Sequence, residues 1–491
     1  MNPTLASLIC ACGIAGLFYL NRDNSVRTSK ALWLPTIWLW TVGSRPVSAW
    51  LGISPTGTNV QLDGSPFDAA VFGVLLLAAT AVLIRRSKGT KTLLAANWPI
   101  LIYFLYCLVS VCWSYHPDVA FKRWIKAIGD LAMVLVIVTD GQPVAAFRRL
   151  TSRVGFLFFP TSVLLIKYYG DLGRGYTPDG VPENTGVTTN KNSLGLIVFL
   201  VSIGALWNMR ALLIDKEAPN RTRHLVAQGT LLTFGLVLLG MAHCATAVTC
   251  FVLGGGLMLL TTRRAIRDRP GRVCALCLVI VLGGALGMLV GGGSVLSSAL
   301  GRGDGLSGRT VIWSAVIDAA GNPLVGTGFE SFWISPEVQK FQRSLVGWWH
   351  PEKLNEAHNG FIEVYLELGW IGIFLIALIL VSGYRRTIKA FQFKPELASL
   401  TLAYVATGTF YNMTEAGFRM LTPSWIFLLL AVVSSSGLVL GLYGGEAPKI
   451  LASRSGPASG NPISNRLIPE REGAYSARRG LTHFEITRAK R

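Results

Sequence analysis

Two arginines and a histidine within one segment are the residues of this sequence best suited to chemistry. Arg302 and Arg309 each carry a planar guanidinium, whose fork of N–H donors matches the oxygens of a phosphate group. His358 comes just before an apolar run, and an imidazole with a pKa of about 6.5 can accept a proton from a hydroxyl group at neutral pH. Together they predict a site that binds a phosphate-bearing donor and activates an acceptor hydroxyl.

Taken singly, each of these residues has a simpler explanation. The two arginines could contact lipid phosphates while their aliphatic stems lie along the membrane. His358 could be a loop histidine that helps to cap the following helix, with Asn359 as the N-cap residue. Only the combination favours a catalytic site.

Several motifs of metal and nucleotide chemistry are absent from the sequence. It contains no G-x-x-x-x-G-K-[ST] loop for nucleotide phosphates, no G-x-G-x-x-G unit after a strand, and no H-E-x-x-H or D-x-D metal motif. An ATP-driven pump and a metal-dependent transferase are therefore disfavoured. We predict chemistry without a metal or cofactor, based on positioned cations and proton transfer.

The composition places this chemistry on a membrane protein. The chain has 491 residues, 51% of them hydrophobic and 14% charged, and a mean hydropathy of +0.47. Because a bilayer-spanning helix takes about 20 mainly apolar residues, we predict an all-α polytopic membrane protein with 12 to 13 transmembrane helices. The predicted spans are 4–20, 31–51, 67–84, 93–113, 122–139, 151–169, 193–209, 225–242, 244–261, 273–293, 361–382, 396–412 and 420–443.

The basic residues predict the orientation of these spans. The net charge is +19, and alternate connections together with the segment 444–491 hold 32 of the 45 lysines and arginines. That asymmetry is typical of an inner-membrane protein whose basic connections face the cytoplasm, which places the long loop 294–360 outside. The membrane domain is thus predicted at 1–443, and 444–491 as a disordered cytoplasmic tail. The cations of this tail are expected to contact anionic lipid or only to fix the orientation, rather than to bind nucleic acid.

The outer loop is predicted to contain one helix near its middle. This helix begins at Ser307 or Arg309 and ends before Pro323, since proline cannot continue a helix. Its apolar stripe is expected to lie along the membrane surface. The stripe consists of Ile312, Trp313, Val316 and Ile317.

Acidic residues near the spans are expected to find partners at helical spacing. We predict that Asp130 pairs with Lys126 and that Glu415 pairs with Arg419, with a contact to glycan as a second role for the latter two. Glu363 and Glu367 are expected on one face of a span beneath His358. There they could orient the imidazole or be solvated at the interface.

These motifs resemble the O-antigen ligase and Wzy-type polymerase superfamily. The form L-G-R-x-x-x-L-[ST]-G-R-T-x-[IL]-W at 300–313 looks most like its ExoQ-type exopolysaccharide-polymerisation branch. The segments N-P-L-V-G-T-G-F at 322–329 and H-N-G-F at 358–361 belong to the same pattern. Two further pieces fit: G-V-T-T-N-K-N-S-L-G at 186–195 and A-T-A at 245–247. The O-antigen-ligase-like region would begin in the outer loop and extend to about 375.

The resemblance implies roles for individual residues. Arg309 would bind the diphosphate of an undecaprenyl-diphosphate-linked glycan donor, and His358 would activate the acceptor hydroxyl. Arg302 would be a second cation, and Lys191 with Asn192 would line the same outer vestibule. The predicted substrate-binding set is completed by His243, Asn359 and Glu363.

One position departs from the family pattern. The family commonly carries a cation at the start of a span, in a stretch that corresponds to A-T-A at 245–247, and here that position is Ala245. His243 could replace the missing cation, or Lys191 and Arg174 could.

The resemblance implies polymerisation of lipid-linked repeat units into exopolysaccharide at the outer face of the inner membrane. Its partners would be the lipid-linked donor, the glycan acceptor and membrane lipids, and a chain-length regulator or export proteins are compatible with it. Two alternatives stay open: an O-antigen ligase that transfers the glycan to lipid A-core, and a flippase or other polysaccharide transporter.

Overall fold

The computed structural model describes residues 2–23, 26–53, 64–176, 180–267, 307–336 and 355–443, with isolated positions between 269 and 279 and at 338. Residues 1–447 form one compact unit, and the second unit, 448–491, lies outside the described residues. Arg302, most of the predicted span 273–293 and the predicted tail 444–491 also lie outside them.

The described part of the chain is built almost entirely from α-helices. The helices of ten or more residues are α1 Pro3–Leu20, α2 Trp33–Gly43, α3 Pro66–Arg85, α4 Ser87–Ala96, α5 Trp98–Ser110, α6 Pro117–Val138, α7 Pro143–Tyr168, α8 Lys191–Ile214, α9 Arg221–Ala242, α10 Ala245–Thr261, α11 Ser307–Asp318, α12 Gly360–Ala390, α13 Pro395–Thr414 and α14 Pro423–Val439. Short helical turns lie at Lys30–Leu32, Val47–Trp50, Val111–Trp113, Gly170–Gly173, Arg264–Arg267 and Phe332–Ile334. Two strands, β1 Arg174–Tyr176 and β2 Pro182–Asn184, pair as an antiparallel hairpin.

Among the residues that the structure describes, six helices are long and apolar enough to cross a bilayer: α1, α3, α7, α8, α9 and α12. A seventh candidate is α4 with α5 and the turn after it, but this pair is bent by 86° at a short break. The prediction of an all-α polytopic membrane protein is confirmed, while the number of 12 to 13 spans stays a prediction.

The predicted span 31–51 is broken in the structure. α2 ends at Gly43, and a separate turn follows at Val47–Trp50. Pro35 does not interrupt α2, because it lies within the first turn, where its missing N–H has no intrahelical acceptor. The two closely spaced spans at 225–242 and 244–261 are distinct helices, separated at His243 by a left-handed φ of 47°.

The interior of the bundle forms around α14. Its residues are buried from Pro423 to Leu438, and it packs against α6, α12 and α13. Aromatic side chains complete this core, among them Trp38, Trp207 and Tyr404, each at most 1% exposed. The rings of Tyr404 and Phe427 lie 5.1 Å apart, which joins α13 to α14.

α12 is broken at Gly369, and the segment that contains Pro323 and Leu324 fills the break. Gly369 has φ 62°, a conformation that favours glycine. The N–H groups of Trp370 and Ile371 donate to the carbonyls of Pro323 and Leu324 at 2.9 and 3.2 Å. The loop therefore pairs with backbone groups that the break would otherwise leave without partners in an apolar setting.

α11 begins at Ser307 and ends at Asp318, close to the predicted bounds. The prediction that its apolar stripe lies along the membrane surface is wrong. Val316 is fully buried in a cluster with Phe332, Ala357 and Leu366, and Ile312 and Trp313 pack against the same cluster. Only Ile317 of the stripe is largely exposed, at 45%. The stripe packs mainly against the protein, because the loop and α12 offer it an apolar surface.

The predicted pairing of Asp130 with Lys126 is wrong. The Asp130 carboxylate accepts hydrogen bonds from Trp38 Nε1 and from the backbone N–H of Leu421, each at 2.8 Å. Asp130 is fully buried, and a buried carboxylate needs hydrogen-bond donors. Trp38 and Leu421, which lie on other elements, supply these donors, and Lys126 of the same helix does not.

Candidate active site

His358 lies at the entrance to α12, in a backbone conformation that the neighbouring residue stabilises. Asn359 is the N-cap of α12, as predicted, and its Oδ1 accepts from the N–H groups of Phe361 and Ile362 at 3.0 and 3.1 Å. Asn359 Nδ2 donates to the Met413 carbonyl at 3.1 Å, which ties this cap to α13. His358 itself has φ 50°, an uncommon left-handed conformation for a residue other than glycine.

The residues on both sides of His358 are fixed to other elements. The N–H of Ala357 donates to Glu363 Oε1, and its carbonyl accepts from Trp313 Nε1 of α11 at 2.8 Å. The N–H of Gly360 donates to the Glu415 carbonyl at 3.1 Å. A side chain at Gly360 would collide with Asn412, since its Cβ would lie 1.9 Å from Asn412 Oδ1. The histidine therefore has a well-determined position.

Glu415 joins the two residues predicted to perform the chemistry. Its Oε1 lies 3.2 Å from Arg309 Nη2, and its Oε2 lies 3.3 Å from His358 Nδ1. Arg309 Nη1 also donates to the Thr414 carbonyl at 2.6 Å. Glu415 is 6% exposed, whereas the side chains of Arg309 and His358 are 24% and 28% exposed. The buried carboxylate thus fixes one side of the guanidinium and one side of the imidazole, and part of each group stays accessible.

A second carboxylate contacts the same nitrogen of His358. Glu356 Oε1 lies 3.1 Å from Nδ1. Burial, the largest single effect, lowers the pKa of His358, but the hydrogen bond to Glu415 and the negative charges of Glu356 and Glu415 outweigh it, so this pKa is raised above its ordinary value. With Nδ1 engaged by carboxylates, Nε2 is the ring nitrogen left for a substrate.

The first turn of α8 reaches the same carboxylate. Asn190 is the N-cap of α8, and its Oδ1 accepts from the N–H of Ser193 at 2.8 Å. Asn192 Nδ2 lies 3.5 Å from Glu415 Oε1, and Lys191 Nζ lies 4.0 Å from Glu183 of the β-hairpin. A helix N-terminus carries a partial positive charge, so the structure brings an anion-attracting element next to Arg309 and His358.

Three further residues were predicted as cations of the site: Arg302, His243 and Arg174. Arg302 is outside the described residues. His243 is exposed in the turn between α9 and α10, directly before Cys244 and Ala245, and Gly195 of α8 lies against Cys244. Arg174 Nε donates to the Ile166 carbonyl at 2.9 Å.

The predicted pairing of Glu415 with Arg419 is wrong. Arg419 Nη2 instead lies 3.2 Å from Glu330 Oε2, and the N–H of Met420 donates to Glu330 Oε1 at 3.2 Å. α13 ends at Thr414, so helical spacing no longer relates residues 415 and 419. Glu415 therefore contacts Arg309 and His358, whereas Arg419 contacts Glu330.

A group of buried glutamates lies beneath the site. Glu330, Glu363 and Glu367 are 4%, 1% and 5% exposed. Burial, the largest single effect, lowers the pKa of Arg419, but the negative charges of these glutamates outweigh it, so this pKa is raised above its ordinary value. Glu363 accepts from Trp333 Nε1 at 2.8 Å and from Ala357, not from His358. Its influence on His358 therefore passes through the backbone of Ala357. The alternative expectation, solvation at the interface, is wrong because Glu363 is buried.

Three of the site residues also form a set of metal-ligand type. Glu356, His358 and Glu415 each offer one ligand atom, and these atoms lie within 4.8 Å of one another. The donor set suits a divalent ion in number and type. However, the guanidinium of Arg309 already contacts Glu415, and a positive charge there repels a second cation.

Comparison with known proteins finds two similarities. Residues 228–377 match the family described as O-Antigen ligase. The chain is also similar to the exopolysaccharide production protein ExoQ of Rhizobium meliloti (strain 1021), with 25% identity over 301 residues. The similarity covers 59% of this chain and 65% of the relative, so it spans less than two thirds of that protein's length. The resemblance to the O-antigen ligase and ExoQ-like family is confirmed.

The matched region, residues 228–377, contains only part of the site. His243, Arg309 and His358 lie within residues 228–377, but Asn192 comes before this range and Glu415 after it. Glu356 was not predicted as a site residue, and Glu415 was assigned to Arg419 with a contact to glycan only as a second role. Glu356 lies two positions before His358, a spacing that could have drawn attention to it, whereas no local pattern connects Glu415 to residues more than fifty positions away.

Proposed function

We propose that this protein polymerises undecaprenyl-diphosphate-linked repeat units into exopolysaccharide by metal-independent glycosyl transfer. The observation that carries the proposal is the shared carboxylate of Glu415, which contacts a guanidinium at 3.2 Å and an imidazole at 3.3 Å. A phosphate-binding cation and a proton acceptor held side by side are the two groups that transfer from a glycosyl diphosphate to a hydroxyl requires.

His358 is the general base of this reaction. The acceptor hydroxyl donates its proton to Nε2 of the neutral imidazole, while Nδ1–H donates to Glu415. The acceptor oxygen forms a bond to the anomeric carbon, and the bond from that carbon to the diphosphate oxygen breaks. The electron pair leaves with the lipid diphosphate, and the configuration at carbon is inverted.

Arg309 stabilises the charge that develops on the leaving diphosphate. Its guanidinium is fixed by Glu415 and the Thr414 carbonyl, so little reorganisation is needed when that charge appears. The N-terminus of α8, with Lys191 and Asn192, supports the same charge. Arg302 and His243 are further proposed donor contacts, and Asn359 and Glu363 position His358.

The proposed site faces the periplasm. The distribution of lysines and arginines supports this orientation in the inner membrane, with the basic C-terminal tail in the cytoplasm. Lipid-linked repeat units and the growing glycan are the proposed partners, with a chain-length regulator or export proteins as additional ones.

An O-antigen ligase is the second candidate, and the family description of residues 228–377 favours it. The donor chemistry is the same, and only the acceptor differs, a growing glycan or lipid A-core. The similarity to an exopolysaccharide production protein favours the polymerase.

A deletion strain that carries plasmid-borne variants tests the proposal. We expect His358→Ala and Arg309→Ala to abolish polymer at unchanged protein level, and His116→Ala and Arg85→Ala, matched in residue type, to retain it. The glycan that accumulates in cells without active protein identifies the missing step. Single repeat units on the carrier at the outer face would support a polymerase, and single units at the inner face would support a flippase. Long polymer that stays on the carrier would support a ligase. Normal polymer from either site variant contradicts the proposal.

Incubation of the purified protein with lipid-linked repeat units, with and without lipid A-core, then separates the two candidates. Polymer formed from repeat units alone supports the polymerase. Transfer to lipid A-core without elongation supports the ligase.

A further inference from the structure

A polar cavity separate from the candidate active site lies between four segments of the chain. It has a volume of about 270 Å³ and is bordered by the segment after α1, by α7, by the end of α8 and by the start of α9. No residue of the candidate active site lines it. The basic connections after α1 and α8 place it at the predicted cytoplasmic end of the bundle.

Two amide side chains in this cavity have incomplete hydrogen bonding. Gln228 and Asn208 are 2% and 4% exposed. Their amide nitrogens approach the same hydroxyl, Ser152 Oγ, at 2.9 and 3.4 Å. Their oxygens, Gln228 Oε1 and Asn208 Oδ1, have no hydrogen-bond partner among the described residues. Since a buried acceptor without a donor is costly, the pair of oxygens indicates a ligand that donates hydrogen bonds.

A third unpaired atom, on a residue that lines the cavity, is a donor. Arg148 Nε is buried and has no hydrogen-bond partner among the described residues. The guanidinium lies over the ring of Trp207 at 4.8 Å and has only a distant contact, 4.0 Å, with Glu396. Because Nε carries one N–H on a permanent cation, it calls for an anionic or strongly polar acceptor.

The charges that line the cavity are balanced. They are the arginines Arg148 and Arg149 and the aspartates Asp23 and Asp215, beside one histidine. Arg149 is already engaged, since its Nη1 donates to Thr28 at 2.7 Å and its Nη2 to the Asp23 carbonyl at 2.7 Å. A balanced lining with unpaired acceptors and an unpaired cationic donor suits a ligand that carries both signs of charge.

We propose that this cavity binds a phosphoethanolamine group, presented as the headgroup of phosphatidylethanolamine. The phosphate accepts from Arg148 Nε, and the primary ammonium donates to Gln228 Oε1 and Asn208 Oδ1. A phosphocholine group carries the same charges but has no N–H to donate, and a phosphoglycerol group has hydroxyl donors but no positive charge. The site therefore selects among headgroups by hydrogen bonding and charge together, and it does not depend on the proposed enzymatic function.

The full chain, purified in detergent, provides the test. Its midpoint of thermal unfolding is measured during titration with mixed micelles of phosphatidylethanolamine, phosphatidylcholine or phosphatidylglycerol, and bound lipids are counted by native mass spectrometry. A ligand that binds only the folded state raises this midpoint as its concentration rises. We expect phosphatidylethanolamine to bind about tenfold more tightly than the other two lipids. Equal stabilisation by phosphatidylcholine overturns the proposal.

Soluble O-phosphoethanolamine distinguishes the two sources of the group. Stabilisation by the lipid but not by the soluble compound identifies the lipid as the ligand. Stabilisation by both shows that the headgroup is sufficient. Stabilisation by neither contradicts the proposal.

Paired variants at one position make the test specific. Asn208→Leu removes an unpaired acceptor and is expected to weaken phosphatidylethanolamine binding about tenfold, while Asn208→Asp keeps an acceptor oxygen and retains the preference. Arg223→Gln is the matched control, since Arg223 lies near the same connections, contacts the Tyr19 carbonyl and does not line the cavity. Unchanged selectivity in folded Asn208→Leu, or its loss in Arg223→Gln, contradicts the assignment.

Discussion

The Nδ1 atom of His358 lies 3.3 Å from Oε2 of Glu415, and the second oxygen of this carboxylate lies 3.2 Å from Arg309. One buried residue from the connection between α13 and α14 thus sets the position of the base and of the cation. Its Oε2 also favours the imidazole tautomer with the proton on Nδ1, which leaves Nε2 free to accept a proton.

Glu415→Gln should therefore impair catalysis although the side chain keeps its shape. An amide group that faces Nδ1 would donate to it and move the ring proton to Nε2, where it blocks proton transfer. We expect kcat to fall by about 10²-fold or more, the usual contribution of a general base. The measurement is the in vitro polymerisation rate of purified protein. Glu217→Gln, an exposed substitution of the same type, should leave the rate unchanged, and a wild-type rate in Glu415→Gln would refute this role.

Glu356 should set the pH dependence of the reaction. It raises the pKa of His358, and the base is active only when neutral, so the rate falls as the pH drops through that pKa. Glu356→Gln removes this negative charge, which lowers the pKa and moves the acid limb of the kcat/KM profile to lower pH. The profile is compared with that of Asp118→Asn, whose carboxylate pairs with exposed Lys122 at 3.7 Å. An unmoved acid limb, or one displaced to higher pH, contradicts this role.

The helices of this fold could be predicted from sequence because apolar runs of spanning length are a local signal. The bounds of α1, α9 and α10 follow the predicted spans closely. The break of α12 at Gly369 was not predicted, since it depends on a loop more than forty residues earlier that supplies backbone partners to the helix. Hydropathy records the length of an apolar run and carries no information about such pairing.

The site could be predicted only where residue type and motif suffice. Arg309 and His358 were identified in this way, and the structure brings them together through a residue assigned to another partner. Glu415 and Arg419 are four positions apart, so a helical pair was the natural prediction, but the helix ends before them. Their actual partners, His358 and Glu330, are 57 and 89 positions away, a distance at which a single sequence gives no signal.

Removal of divalent metal should leave the reaction intact. Glu356, His358 and Glu415 could form a ligand set, but Arg309 occupies one oxygen of Glu415 and supplies positive charge there. We therefore expect polymer formation in excess EDTA at the untreated rate, measured with purified protein and metal-depleted buffers. Loss of activity in EDTA, restored by added zinc or magnesium, would show that a metal takes part.

Gly369→Ala should destabilise the fold at the broken helix. A Cβ there would lie 2.3 Å from the backbone of Leu324, and φ 62° is unfavourable for alanine. We expect a loss of at least about 1–3 kcal/mol from backbone strain, seen as a lower midpoint of thermal unfolding in detergent. Gly13→Ala in α1 is the control, since its Cβ would meet nothing within 4 Å. Equal midpoints for the two variants would show that the loop does not constrain α12.

Arg419 should be among the most sensitive positions for stability. Its contact with Glu330 at 3.2 Å is largely buried, with side chains 25% and 3% exposed. Arg419→Met leaves buried carboxylates without a counter-charge, and loss of one partner of a buried pair costs about 3–5 kcal/mol. Lys122→Met, which breaks an ion pair whose side chains are 67% and 71% exposed, should cost at most about 1 kcal/mol. The midpoints of thermal unfolding of the two variants are compared. The double variant Arg419→Met with Glu330→Gln should recover part of the lost stability because it removes one uncompensated charge. Equal midpoints for Arg419→Met and Lys122→Met would show that the buried cluster does not depend on this arginine.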